Sequence, residues 1–438
     1  MVSAEIRNMT TTKNSLAQIL QSIKTSKIRY KAEPMLSYSE FSGLEAKFTP
    51  QILVTGTNGK GSVCSALSSI LQTAGYKTGL FLTPHLTHPR ERMLVNGREI
   101  TDSRMKRLYE SIKTSVHEFT KKTGWELTFF EWMLLLAILW FYEEKCDIAI
   151  FEAGLGGMRD ASRCLKPLVA AITNVSSDHL HILGPELRDV AREKSAVFFR
   201  SKYGVLGLSQ ELSKQILSMP ETKECQFFAQ EEFIKLRSMT ITGMNISLYW
   251  KQETMEAFSS LTGAHQIDNL NCALNILQPI QNQFPVSTKS VHDGLKNIQH
   301  KCRMETLCSD PLVIVDGCHN AEGLKYLRAN LDTMFSDHQV IYCLAMKHSK
   351  FHENLQNIMA GCKLWLVPHR EKGFMPAKEL QSCFPSGLLL KGRREVWEKF
   401  LGLGIKKKVL VYCGSLRFAG LVRNDFLRTI RTKSYKKG

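Results

Sequence analysis

Acidic residues are the scarce charged class in this chain: 41 Asp and Glu stand against 58 Lys and Arg in 438 residues, a formal net charge of +17. Such an excess raises the question of a nucleic-acid partner. The basic residues, however, form no single stripe with interleaved aromatics. Local excesses at Lys406–Lys408 and after Arg423 read as solvated surface and a basic tail. No nucleic-acid partner is expected, and a basic cleft would suit a polyanionic small molecule equally well. Paired cysteines are also missing. Twelve cysteines are scattered without a CxxC spacing, several inside apolar runs, which argues against a disulfide frame or a zinc site and for reduced thiols in the cytoplasm. Long hydrophobic runs are absent too. The most apolar stretch, Trp132 to Tyr142, is too short to span a bilayer, and no apolar segment follows Glu5 and Arg7 to make a signal peptide. No internal repeat or low-complexity stretch is visible.

What is present is a globular composition, 43% hydrophobic and 23% charged, on a chain long enough for two domains and possibly three. Strand-like and helix-like runs alternate, the pattern of a mostly parallel α/β sheet. Ile52–Thr55, Thr78–Leu82, Asp147–Glu152 and Leu168–Thr173 read as strands, with helices over Ser62–Ala74, Phe129–Tyr142 and His265–Ile276. A second α/β block begins near His300, with strands at Leu312–Asp316, Gln339–Ala345, Lys363–Val367 and Val409–Gly414. The expected architecture is a large P-loop ATPase domain, 1–298, and a smaller Rossmann-like domain, 299–438.

The most informative segment is ILVTGTNGKGS, Ile52 to Ser62. An apolar strand enters a glycine-rich turn, and Lys60 and Ser62 stand at the start of a helix. Backbone N–H groups of Gly56, Thr57, Asn58, Gly59 and Gly61 can converge on an anion there, Lys60 adds a point charge, and the Ser62 hydroxyl can bind Mg²⁺. The spacing is not that of a standard Walker A, since only Thr57 and Asn58 separate Gly56 from Gly59-Lys60. An ordinary glycine-rich strand–helix turn is the bland alternative. Glu152 closes a buried strand and leads into AGLGGMRD, a position suited either to Mg²⁺ or to a hydrogen bond with the loop. Asp178-His179 ends the next strand region in the same way.

These elements, in this order, resemble the Mur ligase superfamily, most closely its folylpolyglutamate synthase and dihydrofolate synthase branch. TGTNGKGS is similar to that family's ATP loop, EAGLGGMRDAS to its E-V-G-L-G-G-x-x-D-A-T-N, and SDHLHILG to its D-H-x-x-x-L-G. The resemblance implies that Ser62, Glu152 and His179 surround Mg²⁺. It implies that Lys194, in Arg192-Glu193-Lys194, is carbamylated. Thr83, Pro84 and His85, with Glu91-Arg92 and Phe130-Glu131, resemble elements on the substrate side, and Cys413-Gly414-Ser415 resembles one close to the amino-acid site. GAHQIDN implies Asn269 against the nucleotide, and Arg303 stands for an arginine that reaches the phosphates. Asp316-Gly317-Cys318-His319-Asn320 resembles D-G-A-H-N, whose Asp and His face nucleotide and incoming glutamate. Three departures stand out: Arg163 for Asn, Lys301-Cys302 for Pro-Gly, and Ser349 for an acid.

The implied activity joins L-glutamate to dihydropteroate or folates, with ATP and Mg²⁺, through an acyl phosphate. Lys60, Lys194, Asp316 and His319 are the expected catalytic residues, in a cytoplasmic monomer without a membrane partner. The rival expectations are a Mur-type cell-wall ligase, an ATPase without ligase activity and a nucleic-acid-binding protein.

Overall fold

The computed structural model describes residues 16–24, 29–176, 183–184, 186–352 and 354–434. Its largest sheet runs in the order β4-β3-β2-β5-β1-β6-β7-β8. Here β1 is Gln51–Thr55, β2 Thr78–Phe81, β3 Met93–Val95, β4 Arg98–Glu99, β5 Ile148–Glu152, β6 Val169–Ile172, β7 Tyr203–Leu206 and β8 Gln226–Phe227. From β2 through β8 every pairing is parallel, and β3 and β4 add an antiparallel edge. The central strands are apolar on both faces because both faces are covered. Leu53, Ala149 and Phe151 point into one core with the helix Phe129–Glu143, while Ile52, Val54, Ile148 and Ile150 point into the other with the helices Lys60–Thr73 and Gln266–Leu277.

The stretch 202–262 includes an antiparallel sheet of β9 (Ile234–Thr240), β10 (Gly243–Trp250) and β11 (Glu253–Ser259). Met244, Ile246, Leu248 and Trp250 alternate inward from β10, onto the same core as the helix Gln266–Leu277. The third sheet has the order β12-β13-β17-β14-β15-β16 and begins at Glu305. Its strands are β12 (Glu305–Ser309), β13 (Leu312–Val315), β14 (Gln339–Leu344), β15 (Lys363–Leu366), β16 (Leu388–Leu389) and β17 (Lys408–Cys413). All pairings from β13 onward are parallel, and cores lie on both faces.

Two long helices were not expected from the sequence. Asp102–Thr123 carries a narrow stripe of Met105, Leu108, Val116 and Phe119, capped by the Thr101 hydroxyl and stopped by Gly124 at φ 74°. The run after Arg423, read as a basic tail, continues a helix that spans Leu416–Ser434. Among the described residues no helix is long and apolar enough to cross a membrane.

Candidate active site

In open parallel sheets, ligands sit beyond the carboxyl ends of the strands, where the strand order switches direction. Here the chain leaves β1 towards β2 on one side, and β5 leads across β1 to β6 on the other. The loops after β1, β5 and β6 therefore meet at one place. The loop after β13 and the start of the helix Leu416–Ser434 close over it from the third sheet. A cavity of about 730 Å³ lies between them.

The phosphate loop forms one wall and is cross-braced through its backbone. Thr57 N–H donates to Asn174 O (3.0 Å), and Asn58 N–H to Asn174 Oδ1 (2.7 Å). The Thr57 hydroxyl donates to Ser176 O and accepts from Ser176 N–H. Two glycines are required by conformation and space together. Gly56 has φ 149° and Gly59 φ 83°; a Cβ would fall on Thr173 Oγ1 at the first and on Asn269 Oδ1 at the second. The helix begins at Lys60, two residues earlier than its sequence suggests, so the loop amides lead directly into its N-terminus. Lys60 Nζ donates to Gly56 O (2.8 Å) and Thr57 O (3.0 Å), folding the cation onto the loop that it serves.

Glu152, at the end of β5, is 6% exposed and accepts from Thr83 N–H at 2.8 Å. Burial raises its pKa, opposed by Lys60, the Thr83 N–H, Arg303 and Arg92. The hydrogen bond of Glu152 runs to Thr83 in the loop after β2, not to the glycine loop that follows it, and the carboxylate lines the cavity with Ser62. The glycine loop after it packs on the helix Leu187–Ser195. A Cβ on Gly157 would lie 2.6 Å from Glu193 O, and Lys194 Nζ donates to Leu155 O (3.1 Å). Lys194 is 2% exposed and lines the cavity, not the surface position that a lone lysine suggests. Asp178 and His179 lie outside the described residues. Among those described, no three His, Cys, Asp or Glu side chains converge to hold a metal.

The opposite wall relies on side chains. Asp316, 7% exposed, accepts from Met304 N–H (2.8 Å) and Cys318 N–H (2.7 Å), one bond to each carboxylate oxygen. These bonds fix the loop that carries His319, and Asp316 itself lines the cavity. The His319 ring nitrogen Nδ1 is 3.0 Å from Gly317 O. Arg303 reaches the cavity with its Nε 3.4 Å from His300 Nε2. Asn269, on the helix Gln266–Leu277 that packs on the first sheet, also lines the cavity and donates to Gln266 Oε1. His265 stacks on Tyr326 (5.1 Å between centroids, 20°), and burial depresses its pKa.

Thr83 and Pro84 line the cavity. His85 and Arg92 stand behind them instead: Arg92 Nε donates to His85 Nδ1 (2.9 Å) and Nη1 to Thr83 Oγ1 (2.8 Å). Arg92 is buried, and desolvation brings its pKa down to about 10 against the pull of Glu152 and Glu91. Ser415 is buried beside Leu416, which does line the cavity.

Sequence reasoning missed Glu322, His300 and Asn174. Glu322 accepts from Asn58 Nδ2 (2.5 Å) and Ser176 Oγ (2.7 Å), while Asn320 Nδ2 donates to Asn58 Oδ1 (3.1 Å), so the two walls meet on one asparagine of the phosphate loop. Glu322 lies two residues beyond the DGCHN element, and that proximity was the available clue. The departures from the family pattern lie outside the lining. Arg163 Nη1 donates to Met158 O and its guanidinium lies 5.6 Å over Phe199; Lys301 pairs with Glu99. Cys302 keeps φ 57°, the left-handed conformation natural to the glycine that it replaces.

Known proteins resemble this chain in sequence and in fold. The family model of the Mur ligase middle domain matches residues 54–277. The Bacillus subtilis dihydrofolate synthase/folylpolyglutamate synthase is 30% identical over 318 residues, covering 69% of this chain and 72% of the relative. Its Escherichia coli counterpart is 26% identical, covering 83% of each. The crystal structure of the folylpolyglutamate synthase of Thermotoga maritima superposes with a TM-score of 0.80 at 25% identity, over 94% of this chain and 96% of that one. The chain therefore belongs to the Mur ligase superfamily, in its folylpolyglutamate synthase/dihydrofolate synthase family.

Proposed function

We propose that this protein is an ATP-dependent ligase that joins L-glutamate to dihydropteroate, to folates or to both. The observation that carries the reading is a single cleft in which Lys60, Glu152 and Lys194 from one sheet face Arg303, Asp316 and His319 from another. The relatives at 30% and 26% identity bear the name of that activity. A carboxylate does not condense with an amine in water because its oxygen leaves poorly. In the proposed reaction an acceptor carboxylate oxygen attacks the γ-phosphorus of ATP and ADP leaves. The glutamate amine then attacks the resulting acyl phosphate, forming the amide as inorganic phosphate departs.

Each residue has a task in this scheme. The loop amides of Gly56–Gly61 and Lys60 bind the phosphates and neutralise charge as it moves. Asn269 meets the nucleotide, and Arg303 reaches the phosphates from the other wall. Asp316 holds the loop that presents His319 to the incoming glutamate. Thr83 and Pro84 border the acceptor side, backed by His85 and Arg92, with Ser415 near the amino acid. The oxygens of Ser62 and Glu152 share the cavity lining, a donor set that Mg²⁺ accepts, and His179 is proposed to complete it. Bound there, the ion would supply electrostatic stabilisation of the phosphates. Lys194 is the proposed carbamylation position.

The proposed division at 298/299 places the cleft between two domains, where closure would exclude water and protect the acyl phosphate. A cytoplasmic monomer fits this scheme. The test is mass spectrometry of products made with ATP, Mg²⁺, L-glutamate and either dihydropteroate or tetrahydrofolate. A glutamyl adduct on one or both acceptors is expected, and none on either would overturn the proposal.

A further inference from the structure

We propose that His300 is a positioning residue that ties the cleft arginine, Arg303, to the helix of the phosphate loop. This rests on the reading that Arg303 acts on the nucleotide phosphates. His300 stands just before the departure Lys301-Cys302, in the segment that crosses between the two sheets. Its Nδ1 is 3.1 Å from the Ser65 hydroxyl on the helix Lys60–Thr73, and its Nε2 is 3.4 Å from Arg303 Nε. A guanidinium can only donate, so Nε2 must be the bare, accepting nitrogen. Nδ1 then carries the proton and donates to Ser65, so the two contacts together select one neutral tautomer.

The ring also covers the loop itself. A Cβ on Gly61 would come within 2.9 Å of His300 Cε1, so that glycine leaves the imidazole its place. His300 retains some exposed surface yet sits deep among protein atoms. Desolvation and the neighbouring Arg303 hold its pKa down to about 3, which suits a neutral acceptor. One uncharged ring thus fixes Nε of Arg303 and rests on the helix that begins the phosphate cradle. Among the described residues no hydrogen bond takes up the two terminal amino groups of Arg303, which leaves them to the cleft.

The test is a double-mutant cycle on the full chain. His300→Phe keeps a ring but can neither accept from Arg303 nor donate to Ser65. It is expected to lower kcat/KM for ATP about 10- to 100-fold, the scale on which a misplacement of about 1 Å at a reacting centre can cost rate. His300→Gln, which offers an acceptor oxygen near the Nε2 position, should recover to within about threefold of wild type. Added to Arg303→Ala, His300→Phe should cost less than about a further twofold, because its effect passes through the arginine. Full additivity, or wild-type kinetics in His300→Phe, overturns the proposal. Should His300→Phe not fold, Ser65→Ala enters the same cycle in its place, with the same criterion of non-additivity. Calorimetric ATP affinities across the cycle read the bridge independently of product. Absence of glutamyl product with a non-additive affinity cycle would therefore sink the ligase reading and spare the bridge.

Discussion

The two walls of the cleft are built by different means. The wall formed by the loops after β1, β5 and β6 is a matter of backbone. Glycines sit where no Cβ fits, two loop amides donate to Asn174, and the Thr57 hydroxyl is tied to the backbone of Ser176. The wall supplied by the third sheet is a matter of side chains, with Asp316 clamping two amides and His300 meeting Arg303. Backbone constraints restrict residue type at fixed spacing, whereas side-chain clamps need only a partner that the fold brings near. The first wall should therefore fail abruptly on single changes and the second by degrees.

The largest effect is expected at Lys60. Lys60→Ala removes a cation from the phosphate loop without touching the glycines, and turnover should fall about 10²- to 10³-fold, as for other groups that stabilise transferred charge. Its side chain bonds Gly56 O and Thr57 O in this structure, so thermal unfolding should be read alongside. A midpoint within a few degrees of wild type together with that loss places the effect in chemistry. Turnover within about twofold of wild type would remove Lys60 from the catalytic scheme.

A smaller effect is expected from Asp316→Asn. The amide keeps the size of the carboxylate but has one oxygen, so either Met304 N–H or Cys318 N–H would face an NH₂ group. A buried donor left unsatisfied costs about 1–3 kcal/mol, and turnover should fall about tenfold by displacement of His319. Denaturant unfolding with parallel kinetics separates the outcomes. A loss as deep as that of Lys60→Ala with unchanged stability would make Asp316 a direct participant and erase the contrast between the walls.

The same contrast explains what the sequence disclosed. The β1 strand, the phosphate loop and the strands ending at Glu152 and Val315 were legible because apolar runs and glycine punctuation encode them locally. The helix Asp102–Thr123 was not, because its buried stripe is four residues in a charged segment, although Thr101 and Gly124 marked its ends. Within the site, Lys194 reads as a surface lysine until the helix Leu187–Ser195 is docked on the Gly154–Gly157 loop. Glu322 and Asn58 lie 264 residues apart, and only the assembled fold shows that they bond. His85 and Arg92 carry a motif, yet the fold puts them one layer behind the cleft.

The smallest effect is expected where motif comparison raises the strongest suspicion. Arg163 replaces an asparagine of the family pattern inside the loop that follows Glu152, which makes it the natural candidate for a lost function. Its guanidinium instead bonds Met158 O and covers Phe199, and it is absent from the cavity lining. Arg163→Asn would surrender one partly buried, charge-assisted side chain–backbone bond worth about 1–2 kcal/mol and one cation–π contact worth about 0.5–1 kcal/mol. The unfolding midpoint should move by only a few degrees for a chain of this size, and kcat/KM should stay within about twofold of wild type. A gain of tenfold or more on restoring the asparagine would show that the first wall also reads side chains at this position, and that the division between the two walls is drawn in the wrong place.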